Sequence, residues 1–158
     1  MITQTLFMLI GLPGSGKSTW VRTSPEASGS LILSTDDDIE AFASAAGKTY
    51  NQVFSERIGT ADANMKALLY YTIKNDPDRN IVWDQTNLTI RSRAKKLAMV
   101  PYRYRKVAVV FNCPPEVIQE RLSMRTGKTI PPEVFDGMVA CFEHPNLNEN
   151  WNEIIYID

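Results

Sequence analysis

The stretch "TLFMLIGLPGSGKSTW", residues 5–20, sets six apolar residues directly ahead of a glycine-rich loop and the start of an amphipathic segment. Inside it, "GLPGSGKST" (11–19) satisfies G-x-x-x-x-G-K-[ST] at every fixed position: Gly11, Gly16, Lys17 and Ser18. A strand before the loop and a helix after it make this motif a phosphate cradle. Glycines let the backbone wrap an anion without side chains in the way. Gly11, Gly14, Ser15 and Gly16 form the wrap, and the freed N–H groups and the helix start face the phosphates. Lys17 reaches the terminal phosphates, and the Ser18 hydroxyl can ligate Mg²⁺. A nucleotide is therefore the expected ligand.

Outward from the loop, the chain alternates short apolar runs with longer amphipathic stretches. Residues 5–10, 30–34, 80–84, 106–112 and 153–157 read as strands. Their runs are nearly continuous, as in a parallel sheet covered on both faces. Helices are expected from Lys17 to before Pro25, from the aspartates at 36–38 to Gly47, and from Tyr50 to Lys74. Others start at Thr89 and end before Pro101, continue from Pro114 and Pro115 through Arg125, and run from Pro131 to before Pro145. The expectation is an α/β fold, a parallel sheet of about five strands with helices on both faces.

The chain has 158 residues, which suits one domain over 1–158. Such a chain buries roughly 70% of its unfolded surface. No 18-residue apolar span occurs, so no membrane-spanning helix is expected. The apolar start has no basic residue before it, which argues against a signal peptide. Cys113 and Cys141 lie too far apart in sequence for a zinc motif and read as buried thiols of a reducing, cytoplasmic compartment. Net charge is −1, but residues 1–90 carry −3, residues 91–130 carry +8 and residues 131–158 carry −6. The +8 segment is either a patch for a polyanion or a set of solvated helix faces.

"LSTDDDIEAF" (33–42) stacks three aspartates where the second strand ends. Parallel strands present their C-termini on the edge that carries the phosphate loop. Asp36 is expected there, placed to orient an acceptor hydroxyl and take its proton. Asp37 and Asp38 fall in the first helical turn, where the dipole explains them. In "WDQTNLTIRSR" (83–93), Asp84 either holds Mg²⁺ through water or forms a turn at the strand end. Thr86 and Asn87 either bond an acceptor or stabilise the loop. "ERLSMRTGKTIPPEVF" (120–135) sets Arg121 and Arg125 four apart on one predicted helix face. A lid over about 121–132 could close both guanidiniums over ATP. No Asn-Lys pair is present for guanine recognition, which disfavours a GTPase.

These four segments, in this order, resemble the 5′-kinase domain of the phage-type polynucleotide kinase family, within the P-loop kinase superfamily. The resemblance covers nearly the whole chain. It implies a lidded P-loop kinase fold and ATP–Mg²⁺-dependent phosphorylation of a polynucleotide 5′-hydroxyl, with DNA or RNA as partner. It assigns the base to Asp36, phosphate contacts to Lys17, Ser18 and Thr19, and lid roles to Arg121 and Arg125. One departure stands out: relatives often have an arginine three residues after the base, and here that position is Ile39. An apolar side chain cannot grip a phosphate. Either Arg91, Arg93 or Arg57 takes that job, or the acceptor differs. A hydroxyl on a modified base such as 5-hydroxymethyluracil, a nucleoside or a small alcohol would fit the second case. A regulator that binds nucleotide without transfer is the third reading, and it leaves Asp36 unexplained. His144, Trp20, Trp83 and Trp151 read as structural; Tyr50, Phe54 or Tyr102 could stack on a base, but helical spacing over 50–71 favours core packing.

Overall fold

The apolar runs form five parallel strands, β1 (Thr5–Ile10), β2 (Leu31–Leu33), β3 (Ile81–Trp83), β4 (Arg105–Phe111) and β5 (Glu153–Ile157). The computed structural model describes residues 4–158, so residues 1–3 of the expected domain lie outside the described residues. Strand order is β2-β3-β1-β4-β5, with β1 at the centre and Met8 in register with Trp83 on one side and Ala108 on the other.

Alternate residues of β1 feed two cores. Leu6, Met8 and Ile10 pack with Ala108, Val110, Trp83 and the Met65 and Leu69 side chains of α3 (Tyr50–Asn75). Phe7 and Leu9 pack with Val107, Val109 and Phe111, against Trp20 and Val21 of α1 (Lys17–Thr23). Both faces are covered, which is why the strands read as unbroken apolar runs. A third cluster joins Ile39 and Ala43 of α2 (Asp36–Ala46) to Val53 and Ala61 of α3. Gly47 ends α2 with φ 67°, and the capping box of Thr49 and Gln52 starts α3. A fourth cluster sets Leu12 and Leu88 against Ile118 of α5 (Pro115–Ser123) and Phe135 of α6 (Pro132–Cys141). The remaining helix, α4, spans Ile90–Leu97.

Several expectations need correction. Helix α5 stops at Ser123 instead of continuing through Arg125, and Gly127 just beyond has φ 73°. Arg121 and Arg125 therefore share no helix face. Strand β2 ends at Leu33 rather than near Thr35, and Asp36 opens α2 together with Asp37 and Asp38. Cys113 is half-buried and Cys141 exposed, so neither is a core thiol. The basic residues of 91–130 are spread over α4, the loop before β4, β4 itself, α5 and the loop after it. Among the described residues no helix is long and apolar enough to cross a membrane.

Candidate active site

The C-terminal edge of the sheet opens into a cleft of about 1170 Å³. One wall is the loop after β1. Gly14 and Gly16 have φ 79° and 109°, in the left-handed region that glycine tolerates. Gly11 is needed for a different reason: a Cβ there would sit 2.6 Å from Ser15 Oγ and 3.0 Å from Phe111 Cβ. Lys17 curls over the loop, its Nζ donating to the carbonyls of Gly11 (2.9 Å) and Leu12 (2.8 Å). Burial pulls the Lys17 pKa down to about 8, against the opposing pull of the Asp84 and Asp36 carboxylates. The buried Ser15 Oγ has no hydrogen-bond partner among the described residues. An orphaned hydroxyl, a buried ammonium and a helix start converging on one concavity fit a polyphosphate. Ser18 and Thr19 line the same wall.

Asp36 stands on the other wall. The Ser34 hydroxyl accepts from its backbone N–H (3.1 Å), and a side-chain relay steadies the turn: Trp83 Nε1 donates to Gln85, and Gln85 Nε2 donates to Thr35 Oγ1. Tyr50 Oη donates to Asp36 Oδ1 at 2.7 Å, and Lys128 Nζ donates to Asp36 Oδ2 at 3.0 Å. Burial, followed by the Asp36 carboxylate, pushes the Tyr50 phenol well above its usual range, so Tyr50 stays a donor at neutral pH. Asp84 is on the floor, its N–H bonded to Leu33 O at 2.8 Å. Burial raises the Asp84 pKa, and the Lys17 charge opposes that rise.

Above the cleft, Arg121 Nη1 donates to Gly14 O at 3.0 Å, and Arg125 joins the lining although the helix ends before it. Thus a phosphate loop, a carboxylate and two guanidiniums face one space.

The AAA domain family matches residues 6–145. The chain belongs to that family. Solved structures similar to this AAA domain include a chain of the Pnkp1/Rnl/Hen1 RNA repair complex, 24% identical with a TM-score of 0.66. That match covers 89% of this chain but 44% of the other, so this chain spans less than half of its length. A sugar kinase from a Janibacter species is 20% identical with a TM-score of 0.63, covering 98% of this chain and 85% of that one. Kti12 from Chaetomium thermophilum, in complex with ADP-AlF3, is 17% identical with a TM-score of 0.60, covering 96% and 88%. At these identities the likeness establishes the fold, which is P-loop kinase-like.

Within this AAA domain the expected acceptor residues separate. Thr86 lines the cleft, and its carbonyl accepts from Gly11 N at 3.0 Å. Asn87 does not line it: the side chain is buried, its amide donates to Leu9 O at 2.7 Å, and its φ of 49° makes it a turn residue. Arg91 lies in a separate recess with Lys95, Lys96 and Lys66. The alternative grips are committed as well. Arg57 pairs with Asp38, which is therefore more than a helix starter, and Arg93 is buried against Glu149. Ile39 is fully buried, so position 39 of this helix faces the α2–α3 core and not the cleft.

Some cleft residues were missed or read differently from the sequence. Tyr50, its ring tilted 40° against that of Phe54 with centroids 5.7 Å apart, lines the cleft with it instead of filling the core. Lys128 reaches Asp36 from a loop 92 residues away. The only sequence signal for it is a lysine beside a glycine within the predicted lid.

Proposed function

We propose that this chain is an ATP-dependent phosphotransferase that moves the γ-phosphoryl group to a hydroxyl carried by a nucleic acid, the strand 5′-hydroxyl first among acceptors. The supporting observation is the facing of Lys17 and Asp36 across one cleft. In this reading residues 1–158 act as one domain whose lid spans about 121–132. Asp36 takes the acceptor proton as the acceptor oxygen bonds to phosphorus and the bond to the β-phosphate oxygen breaks, releasing ADP. Lys17, Arg121 and Arg125 offset charge on the transferring group, each such donor supplying about 3–4 kcal/mol of barrier lowering. Mg²⁺ bound to the phosphates would add to that compensation. Ser18 and the half-buried Asp84 fit its first or water-mediated shell. Among the described residues no group of three His, Cys, Asp or Glu could hold a metal, so nucleotide oxygens and water would complete the shell.

The state of Lys17 sets a pH dependence. With its pKa near 8, the loop carries its ammonium below that value and loses it above. ATP binds the charged form, so affinity should fall about twofold from pH 7 to 8 and then by up to about tenfold per unit. Calorimetric titration across pH 7–9.5 checks this, with Lys17→Met expected to bind weakly and show no such fall. A wild type equally tight at pH 9.5 would contradict the assignment.

A second acceptor is favoured by the burial of Ile39 and the commitment of Arg57 and Arg93: a hydroxymethyl group on a base inside DNA, which needs no grip on a strand end. One assay separates the two. Oligonucleotides with a 5′-hydroxyl, a 5′-phosphate, or a 5′-phosphate plus internal 5-hydroxymethyluracil are incubated with γ-labelled ATP and Mg²⁺. Label on the 5′-hydroxyl strand alone supports the first acceptor, and label on the hydroxymethylated strand supports the second. No label on any strand overturns the nucleic-acid reading.

A further inference from the structure

Five cations line the cleft among the described residues: Lys17, Arg22, Arg121, Arg125 and Lys128. The first three are bonded to the phosphate loop and the helix it opens: Lys17 to Gly11 and Leu12, Arg121 to Gly14, and Arg22 to Thr19 Oγ1 at 3.4 Å. Arg125 lines the cleft with no side-chain hydrogen bond to either wall among the described residues. Lys128 alone is bonded to the opposite wall. Its Nζ lies 3.0 Å from Asp36 Oδ2, 3.1 Å from Glu40 Oε1 and 4.5 Å from the centre of the Tyr50 ring.

That wall is acidic. Asp36, Asp37 and Glu40 all line the cleft there. A phosphate-bearing acceptor that presents its hydroxyl to Asp36 enters a field of like charge, which disfavours it unless a cation intervenes. Helix α2 supplies none, since Ile39 is turned into the core.

The lid backbone is registered to deliver Lys128. Asn51 N donates to Gly127 O at 3.2 Å, and Asn51 Nδ2 donates to Thr129 O and Oγ1 at 3.1 and 2.8 Å. Thr129 N returns a bond to Asn51 Oδ1 at 3.2 Å. Gly127 packs so closely on Thr49 that a Cβ would meet its Cβ at 3.1 Å. Lys128 is thus held between two pinned residues, and its side chain keeps 25% of its surface exposed to the cleft.

We propose that Lys128 is a specificity-determining residue that grips the acceptor phosphate next to the reacting hydroxyl, handing its ammonium from Asp36 and Glu40 to that phosphate. This rests on the kinase reading for the identity of the acceptor. The ammonium leaves Asp36 Oδ2 free to take the acceptor hydroxyl, while Tyr50 keeps Oδ1 oriented. Charge that ties the lid to α2 thereby becomes charge that selects anionic acceptors over neutral ones.

The test is binding, which needs no turnover. Fluorescence anisotropy follows a labelled single-stranded 5′-hydroxyl oligonucleotide between 50 and 200 mM salt, with wild type, Lys128→Ala and Lys128→Arg. Each phosphate contact on a single strand contributes about 0.7 to the slope of log affinity against log salt. Lys128→Ala should lower the slope by about that amount, and Lys128→Arg should keep it. A wild-type slope in Lys128→Ala overturns the proposal, as does a wild type with no salt-dependent binding. If the slope depends on Lys128 but no acceptor is ever labelled, the kinase reading falls and the grip stands. If the acceptor is labelled but the slope ignores Lys128, the grip falls alone.

Discussion

Asp36→Asn is expected to cut turnover by about 10²–10⁴-fold while leaving ATP affinity close to wild type. The substitution keeps the size of the side chain and one carbonyl oxygen to accept from Tyr50, whose hydroxyl lies 2.7 Å from Oδ1. It removes the group that can accept a proton. It also turns an amide N–H₂ toward the Lys128 ammonium, which now bonds Oδ2 at 3.0 Å. None of these contacts touches the loop around Lys17, and Asp84, the stronger of the two carboxylates that support the Lys17 ammonium, stays in place, so phosphate binding should persist. Single-turnover transfer from γ-labelled ATP gives the chemical step, and a fluorescent nucleotide gives affinity. Tyr50→Phe is the control: it removes the orienting bond but not the base, and should cost far less. Full turnover in Asp36→Asn would sink the base assignment. Asp84 would then be the next carboxylate to test, since burial raises its pKa and it stands on the cleft floor.

What the sequence reveals here depends on how local the requirement is. The phosphate loop is legible because its glycines, lysine and helix start all lie within residues 11–19. The strands are legible because burial on both faces removes polar residues from them. Asp36 was placed in the right neighbourhood for a partly wrong reason, because a three-residue β2 cannot be told from a longer one by its apolar run. Tyr50 and Phe54 sit four apart on α3, and periodicity alone cannot say whether that face meets core or cleft. Asn87 shows the same gap, since a polar residue after an aspartate serves a ligand or a turn equally well. Only its buried amide and φ of 49° decide for the turn. Lys128 and Arg93 were hidden for a stronger reason: their partners lie 92 and 56 residues away, and strand order, which a single sequence does not encode locally, brings them together.

Arg93→Met is expected to destabilise the protein by about 3–5 kcal/mol, the usual cost of breaking a buried ion pair from one side. For a chain of this size that corresponds to a fall in Tm of roughly 6–20 °C. Arg93 is fully buried. Its Nε and Nη2 donate to the two oxygens of Glu149 at 2.8 and 3.2 Å, and Nη1 donates to Asn87 O at 2.9 Å. Methionine fills most of the volume but strips the Glu149 carboxylate of both guanidinium bonds, leaving the Asn146 N–H at 3.0 Å and the nearby Trp151 indole. It also removes one of the bonds that hold the Asn87 turn behind Asp84 and Thr86, so turnover should suffer along with stability. Burial alone would raise the Glu149 pKa, yet the hydrogen bonds from Arg93 and the Asn146 backbone, with the Arg93 charge, hold it below the usual carboxylate range. A depressed carboxylate contributes stability above its unfolded pKa of about 4.3 and loses it as pH falls through the folded value. In Arg93→Met the sign reverses: burial without a partner favours the neutral acid, so protonation relieves the defect. Urea unfolding should therefore show a large gap between variant and wild type at pH 7 and a smaller one at pH 4. Arg93→Met/Glu149→Leu removes the orphaned charge and should recover most of the loss at pH 7. If the single variant loses under about 1 kcal/mol at pH 7, or the double variant recovers nothing, the buried pair is not what fastens the α4 side of the cleft.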